Sequence, residues 1–485
     1  MSGGPSAPAR QGASEPPPLR PGADALDPGF LAAVAEGEAR LSPEQALEAW
    51  HRLPLQELGA LADRRAASIH GPSIRTYVID RNINYTNVCT ARCTFCAFRR
   101  DGDDHDAYTL PVETILGKVQ ELVEIGGTQI LMQGGMNPSL PLAWYEGLLS
   151  AIRDRFPTVH IHAFSPPEFV EFVRFFDPPG ADLEAKLGWV MERLRAAGLH
   201  SIPGGGGEIF APAVRRKIGL GKCDAEAWLT CMRVAHRLGM NTSATMMFGH
   251  IEGVADRIHH MEQVRSWQDR SIRDFATSGG GRTMAFISWP FQRENTPLGR
   301  AREWGEGEGD DRSQPFPGDA VATLDGRGSR EAHPEFGRRV RMAGAAEYLR
   351  TQALSRLYLD NVWSIGSSWV TMGPHVGQLG LRWGANDMGS VMMEENVVSA
   401  AGTVYCLNEA TICRLIRDAG FIPAQRDNGY GILRLHHGPE SPDLQVKDWS
   451  TLRAARLHRE GAPAAAGAAG ASAAPVSITV SGSSN

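Results

Sequence analysis

The sequence predicts an α/β fold built as a (β/α)8 barrel of the TIM type. Three observations point there. From Tyr77 onward short apolar strands alternate with amphipathic helices in about seven strand-then-helix steps. Hairpin signals between those strands are few, and strands linked through helices pair in parallel. Each strand runs into a polar or glycine-rich loop, which is where parallel barrels assemble their sites. An open doubly wound sheet is the competing arrangement for the same alternation.

Residues 1–27 are rich in Pro, Gly and Ala and read as a disordered leader without the apolar stretch of a signal peptide. A helical extension is expected over 28–75. There "LSPEQALEAWHRL" offers Ser42 as N-cap, Pro43 at the first helical position and Glu44 in the first turn. The barrel is assigned to 76–430. "YVIDRNINYT" is its first strand, and "PVETILGKVQELVEIGG" a helix closed by glycines before the strand "TQILMQGG". "LAWYEGLLSAIRDRF" precedes "TVHIHAF", "LEAKLGWVMERLRAAG" precedes "LHSIPGGGGEIF", and "AEAWLTCMRVAHRLG" precedes "NTSATMMFGH". A helix near 252–268 leads to "RTMAFISWPF", and "VRMAGAAEYLRTQALSRLYL" to "DNVWSIGSS". Gly-, Pro- and acid-rich stretches near 270–282 and 300–335 read as inserted surface loops. Residues 431–485 form a C-terminal extension ending in a low-complexity tail, expected to be disordered.

Composition narrows the function. Of 485 residues 42% are hydrophobic and 21% charged, which suits a globular core. A net charge of −6 without a compensating basic block disfavours nucleic acid as a partner. The longest apolar runs are strand-length, far short of a membrane span. Of seven cysteines four are scattered, at Cys223, Cys231, Cys406 and Cys413, which is no disulfide framework and implies a reducing cytoplasm.

The other three, Cys89, Cys93 and Cys96, fall within eight residues in "NVCTARCTFCAFRRDG", just after the first strand. Thiolates at these spacings can converge on one soft metal centre, and three ligands to four irons leave one iron open. Zinc would require a fourth ligand, for which the nearest candidate is His105 in the acidic loop "DGDDHDAY".

With Phe95 before its last cysteine, the Cys-x3-Cys-x2-Cys run resembles the signature of radical S-adenosylmethionine (SAM) enzymes. The resemblance narrows through "DRNINYTNVC", "QILMQGGMNP", "IHAFSPPE", "SIPGGGGEI", "ATMMFGHIE", "FISWPFQRENT", "GSSWVTMG" and "GANDMGS". Together these resemble the cyclic dehypoxanthinyl futalosine synthase family of menaquinone biosynthesis, over roughly Leu41 to Tyr430. Aminofutalosine synthase and the tyrosine-dependent half of FO synthase are the nearest alternatives. A non-catalytic iron–sulfur or zinc scaffold is the alternative of another class.

The resemblance implies a [4Fe–4S] cluster on Cys89, Cys93 and Cys96, with SAM on the open iron. It implies a 5′-deoxyadenosyl radical that removes the ribose C4′ hydrogen of dehypoxanthine futalosine. The carbon radical then adds to the benzoate ring, and an electron and a proton are lost. The cluster also needs a low-potential electron donor such as a flavodoxin or ferredoxin. Phe95, the "QGG" of Gln133, Gly134 and Gly135, Ser165, Glu208 and Arg215 are implied as SAM contacts. Glu208 would serve the ribose hydroxyls and Arg215 the carboxylate, to which a guanidinium fork is matched. His162, Glu168, Ser368, Trp369, Asn386 and Asp387 are candidates for the substrate, although a histidine inside a strand is as readily a core residue. His250 and Glu252 lead for proton handling. "GLGKC" (219–223) fails as a phosphate loop because Arg216 stands at the first glycine position and Cys223 replaces Ser or Thr. Glu394, Glu395 and Asn396 suit a helix cap or the site equally. The pairs His259–His260 and His436–His437 lack ligand spacing and read as solvated.

Overall fold

A computed structural model describes residues 26–306, 313–324, 330–394, 396–403 and 405–451. The leader to residue 25, the tail beyond 451, Glu395 and parts of the 300–335 stretch lie outside the described residues.

Three helices come first: α1 (Pro28–Glu36), α2 (Pro43–Arg52) and α3 (Leu55–His70). Ser42 caps α2 in a reciprocal capping box with Gln45, and Pro43 holds the first helical position, where its missing N–H costs nothing. The barrel then runs β1 (Ile74–Val78), β2 (Asp80–Ile83), α4 (Val112–Glu124), β3 (Gln129–Met132), α5 (Leu142–Arg155) and β4 (His160–Ala163). It continues with α6 (Pro166–Phe176), α7 (Leu183–Ala197), α8 (Pro212–Ile218), α9 (Ala225–Arg237), β5 (Thr242–Phe248), α10 (Val254–Phe275) and β6 (Thr283–Pro290). A two-stranded ribbon, β7 (Arg302–Glu303) with β8 (Arg339–Val340), lies within the excursion before α11 (Ala345–Tyr358). The last turns of the barrel are β9 (Ser364–Gly366), α12 (Trp369–Met372), α13 (Pro374–Gly380), β10 (Asp387–Ser390) and α14 (Val397–Ala400). After them come α15 (Glu409–Asp418), β11 (Ile422–Arg426) and β12 (Ile432–Leu435).

All strand pairs around the ring are parallel. β2 pairs β3, β3 pairs β4, and β5, β6, β9 and β10 follow one another back to β1, which runs on into β2. Ser201 and Ile202 fill the place between β4 and β5. They bridge His162 and Thr242, and Ala163 N–H donates to Ser201 O at 3.1 Å while Ser243 N–H donates to Ile202 O at 3.2 Å. Eight strand positions thus close the barrel, and apolar residues of the surrounding helices seal its outside. β11 pairs the outer edge of β1 ahead of the point where β3 begins, so the β11–β12 hairpin closes one end of the lumen.

Two expectations differ from this fold. The stretch read as an insertion near 270–282 begins within α10, which continues to Phe275 because Gln268 docks on β6. Its side chain donates to Thr283 O and accepts from Thr283 N–H, both at 2.9 Å. The histidine pairs are not solvated throughout. His260 is fully buried and stacks on Phe210 with centroids 4.1 Å apart, and buried His436 lies 2.7 Å from the Tyr77 hydroxyl. Among the described residues no helix is long and apolar enough to cross a membrane.

Candidate active site

The two-residue period of strands sends alternate side chains inward. Asp80 and Asn82 of β2, Gln129 and Leu131 of β3 and His162 of β4 line a lumen cavity of about 500 Å³, a size usual for small-molecule sites. The register Asn82–Leu131–His162 sets these three at one level. This wall is mostly polar. Across the lumen Ala285 and Ile287 of β6, with Trp289, make an apolar wall.

The mouth of the cavity carries Cys89, Cys93, Cys96 and Phe95. Their loop is fixed by its backbone: Thr90 N–H donates to Met136 O at 3.0 Å, Arg92 N–H to Leu220 O at 2.8 Å and Thr94 N–H to Ile218 O at 2.9 Å. The cysteines sit in a small apolar nest with Ala91 and Met136. Burial raises the Cys89 thiol and pushes Cys93 up to about 12, so ionising it calls for a positive centre alongside. Among the described residues no group of three or more His, Cys, Asp or Glu side chains is placed to hold a single metal ion.

Beside the cysteines runs Gln133–Gly134–Gly135. A Cβ on Gly135 would lie 2.1 Å from Val88 O and 3.0 Å from Cys89 Cβ, and one on Gly134 would meet the Tyr85 ring at 2.5 Å. Both positions therefore exclude a side chain. Glu168 fastens this loop: it accepts from the Tyr85 hydroxyl at 2.6 Å, Gly134 N–H at 3.1 Å, Ser165 N–H at 2.7 Å and Ser165 Oγ at 2.6 Å. Glu168 and Ser165 line the cavity, but their polar atoms are spent on positioning Gly134 rather than left for a ligand.

Glu208 is different. It holds a left-handed backbone at φ 38°, its Oε1 accepts from Lys222 Nζ at 2.8 Å, and its buried Oε2 has no partner. An orphaned carboxylate oxygen on a cavity wall is costly unless a ligand satisfies it. Burial opposes the charge on Lys222, yet Cys93 and Glu208 outweigh it and the net shift is upward. Lys222 Nζ also lies 5.1 Å from the Phe95 ring centroid. Three soft donors in an apolar nest, a glycine cradle and an unsatisfied carboxylate fit a three-thiolate iron–sulfur cluster with a polar cofactor against it. Gly135→Ala is expected to lower the iron bound per chain after anaerobic reconstitution to well under half, because the added methyl displaces Val88 and Cys89. Iron and sulfide assays check this.

Several sequence candidates are used otherwise. Arg215 does not line the cavity. Its guanidinium bonds the carbonyls of Gly206 at 3.0 Å, Gly207 at 2.8 Å and Cys223 at 2.8 Å, tying the glycine loop to the loop that bears Lys222. Asn386 also lies outside the lining, with its Oδ1 accepting from Arg356 at 2.6 Å and Ile365 N–H at 2.9 Å. Asp387 reaches the closed end of the cavity, clamped by Arg426 at 2.5 and 2.9 Å. Ser368 and Trp369 line the cavity, although the Ser368 hydroxyl donates to Ser288 O at 2.6 Å.

His250 and Glu252 are not brought to the cavity. Both are fully buried, and Glu252 accepts from Gly249 N–H at 2.6 Å, His250 N–H at 2.8 Å and Arg257 Nε at 2.9 Å. Burial would raise this carboxyl, but His250, Arg257 and the two amides outweigh it and hold it down at about 2. A folded-state value below the unfolded one means that the stabilisation is present above the ordinary glutamate range, near 4.3, and fades as pH falls toward 2. Glu252→Gln is expected to cost about 3 kcal/mol at pH 7, by leaving buried Arg257 with Glu347 as its remaining carboxylate partner. The cost should shrink in acid, and chemical denaturation at pH 7 and pH 3.5 reads the difference.

Lys222 and Arg426 belong to the site without a motif that marks them in the sequence. The only linear signal for Lys222 was a lysine in the glycine loop after α8, and for Arg426 an arginine closing a late strand.

The chain matches the Radical SAM superfamily model over residues 83–264 and the CofH/MqnC C-terminal region over 335–438. It is 38% identical to the cyclic dehypoxanthine futalosine synthase of Halalkalibacterium halodurans over 415 residues, covering 86% of this chain and 97% of that protein. It is equally 38% identical to the Streptomyces coelicolor protein of that name, over 87% of this chain and 92% of the relative. The aminodeoxyfutalosine synthase of Thermus thermophilus is 34% identical over 83% and 94%. The fold resembles the crystal structure of methylornithine synthase, with TM-score 0.53 and 16% identity over 81% of this chain and 97% of that one. It also resembles the FeFe-hydrogenase maturase of Carboxydothermus hydrogenoformans, with TM-score 0.55 and 16% identity over 83% and 80%.

Proposed function

The chain belongs to the radical SAM family of cyclic dehypoxanthine futalosine synthases, and from that premise we propose that it cyclises dehypoxanthine futalosine in menaquinone biosynthesis. The observation that carries the reading is the near-full-length likeness to two such synthases, which spans both barrel and C-terminal region. A [4Fe–4S] cluster and SAM, when bound, supply reductive cleavage to a 5′-deoxyadenosyl radical that takes the ribose C4′ hydrogen.

The chain's own residues hold and orient the reactants. Cys89, Cys93 and Cys96 are the cluster ligands. Gln133, Gly134 and Gly135 receive the amino group of SAM through backbone carbonyls, with Glu168 and Ser165 fixing that loop and Phe95 closing the mouth. Glu208, steadied by Lys222, takes the ribose hydroxyls. Deeper in the lumen, Asn82 offers a polar contact to the substrate's sugar and His162 one beside the point of ring closure, while Ile287, Trp289 and Trp369 offer an apolar face to its aromatic ring. This division supports a substrate that is sugar at one end and arene at the other. The work is done in a reducing cytoplasm, consistent with seven unpaired cysteines, with the electron delivered by a low-potential donor such as a flavodoxin or ferredoxin.

Substrate choice tests the reading. In the reconstituted enzyme, 5′-deoxyadenosine formation should be stimulated by dehypoxanthine futalosine and not by a carboxyvinyl-oxybenzoate. Stimulation only by the latter would move the chain to the aminofutalosine synthases.

A further inference from the structure

Cyclisation onto an arene obliges the protein to remove one ring proton, and the cavity wall holds a path for it. His162 faces the cavity, and its Nδ1 lies 2.6 Å from Ser201 Oγ. The same hydroxyl lies 2.7 Å from Nε2 of His160. Two residues apart on β4, the histidines share the inward face, with His160 nearer the strand's start. There His160 is half-buried and stacks on the exposed His200, with ring centroids 4.9 Å apart. A serine hydroxyl has one proton and two lone pairs, so Ser201 can accept from one imidazole while donating to the other. Its remaining neighbour, Asn428 Oδ1, stands further off at 3.5 Å.

We propose that His162, Ser201 and His160 form a proton relay from the substrate cavity to solvent, with His162 accepting the ring proton. The inference rests on the cyclase reading. The ring C–H bond breaks, its electron pair stays in the ring, and the proton passes to His162 Nε2. His162 Nδ1 gives its proton to Ser201 Oγ, the serine proton moves to His160 Nε2, and His160 Nδ1 releases one to solvent. The single electron lost in the same conversion goes to a one-electron acceptor of the iron–sulfur or flavin class. Burial, His160 and Arg426 bring His162 down to about 3, and burial with His200 brings His160 to about 4, so both rings rest neutral. Asp387, the nearby carboxylate of β10, is neutralised by Arg426. A weakly basic acceptor suffices because a ring that has lost its electron is a strong acid.

Ser201→Ala and His160→Gln each cut the relay and leave His162 in place. In either variant of the reconstituted holoenzyme, 5′-deoxyadenosine should still form while cyclised product per 5′-deoxyadenosine falls roughly 100-fold. Ser201→Thr, which keeps the hydroxyl, should restore the ratio. In the full-length chain without added metal, histidine side-chain ¹⁵N spectra should show the tautomers of both rings changing together in Ser201→Ala. An unchanged product ratio in both cut variants, or unchanged spectra, overturns the relay and leaves the cyclase reading intact. Absence of cyclised product from the unaltered enzyme overturns both.

Discussion

Cys93→Ala is expected to fold and yet form no more 5′-deoxyadenosine than an enzyme-free control. Cys93 is the most buried of the three thiols, in an apolar nest with Ala91 and Met136. Alanine suits such a nest, so stability should drop by only about 1 kcal/mol. The loss falls instead on the metal centre, because two thiolates cannot hold four irons with one site open. Iron should fall from about four per chain to a small residue, with the visible charge-transfer absorption lost alongside. A variant that kept full iron and still cleaved SAM would refute the ligand assignment.

Glu208→Gln should be the next most damaging change, and its effect should fall on SAM rather than on iron. The side chain's shape is kept, and its backbone is pinned by the bond from Met247 N–H to Glu208 O at 3.0 Å. What disappears is the charge that faces Lys222 on one oxygen and has no hydrogen-bond partner on the other, buried one. Hydrogen bonds to a charged group contribute about 2 kcal/mol, which corresponds to a roughly 30-fold loss of SAM affinity. Lys222 is also left buried beside a neutral partner, so the variant should melt several degrees lower. Calorimetric titration of SAM into the reconstituted protein separates the two effects. Unaltered affinity with reduced stability would confine Glu208 to the ion pair.

Local features of this site were legible in the sequence, and long-range ones were not. The three cysteines lie on one loop, so their spacing alone placed them together at the end of a strand. The alternation of strands and helices foretold the barrel for the same reason, since each helix marks its own apolar face. His250 and Glu252 also follow a strand, and nothing linear shows that Arg257, one turn into α10, reaches back to occupy Glu252. Arg215 has the same history: the carbonyls that claim it come from two loops whose proximity only folding creates. Lys222 carries no further linear signal because the glycine loop around it lacks the phosphate-loop pattern. Its partner Glu208 lies 14 residues away across a helix. The helical end of α10 was obscured by a polar composition whose buried member, Gln268, is satisfied by β6.

The most direct test of the central claim is mass spectrometry of the anaerobic reaction with dehypoxanthine futalosine deuterated at ribose C4′. Cyclisation predicts a product lighter by the C4′ deuterium and one ring hydrogen, with the deuterium recovered in 5′-deoxyadenosine. Unchanged substrate, or 5′-deoxyadenosine that carries no deuterium, would contradict the assignment.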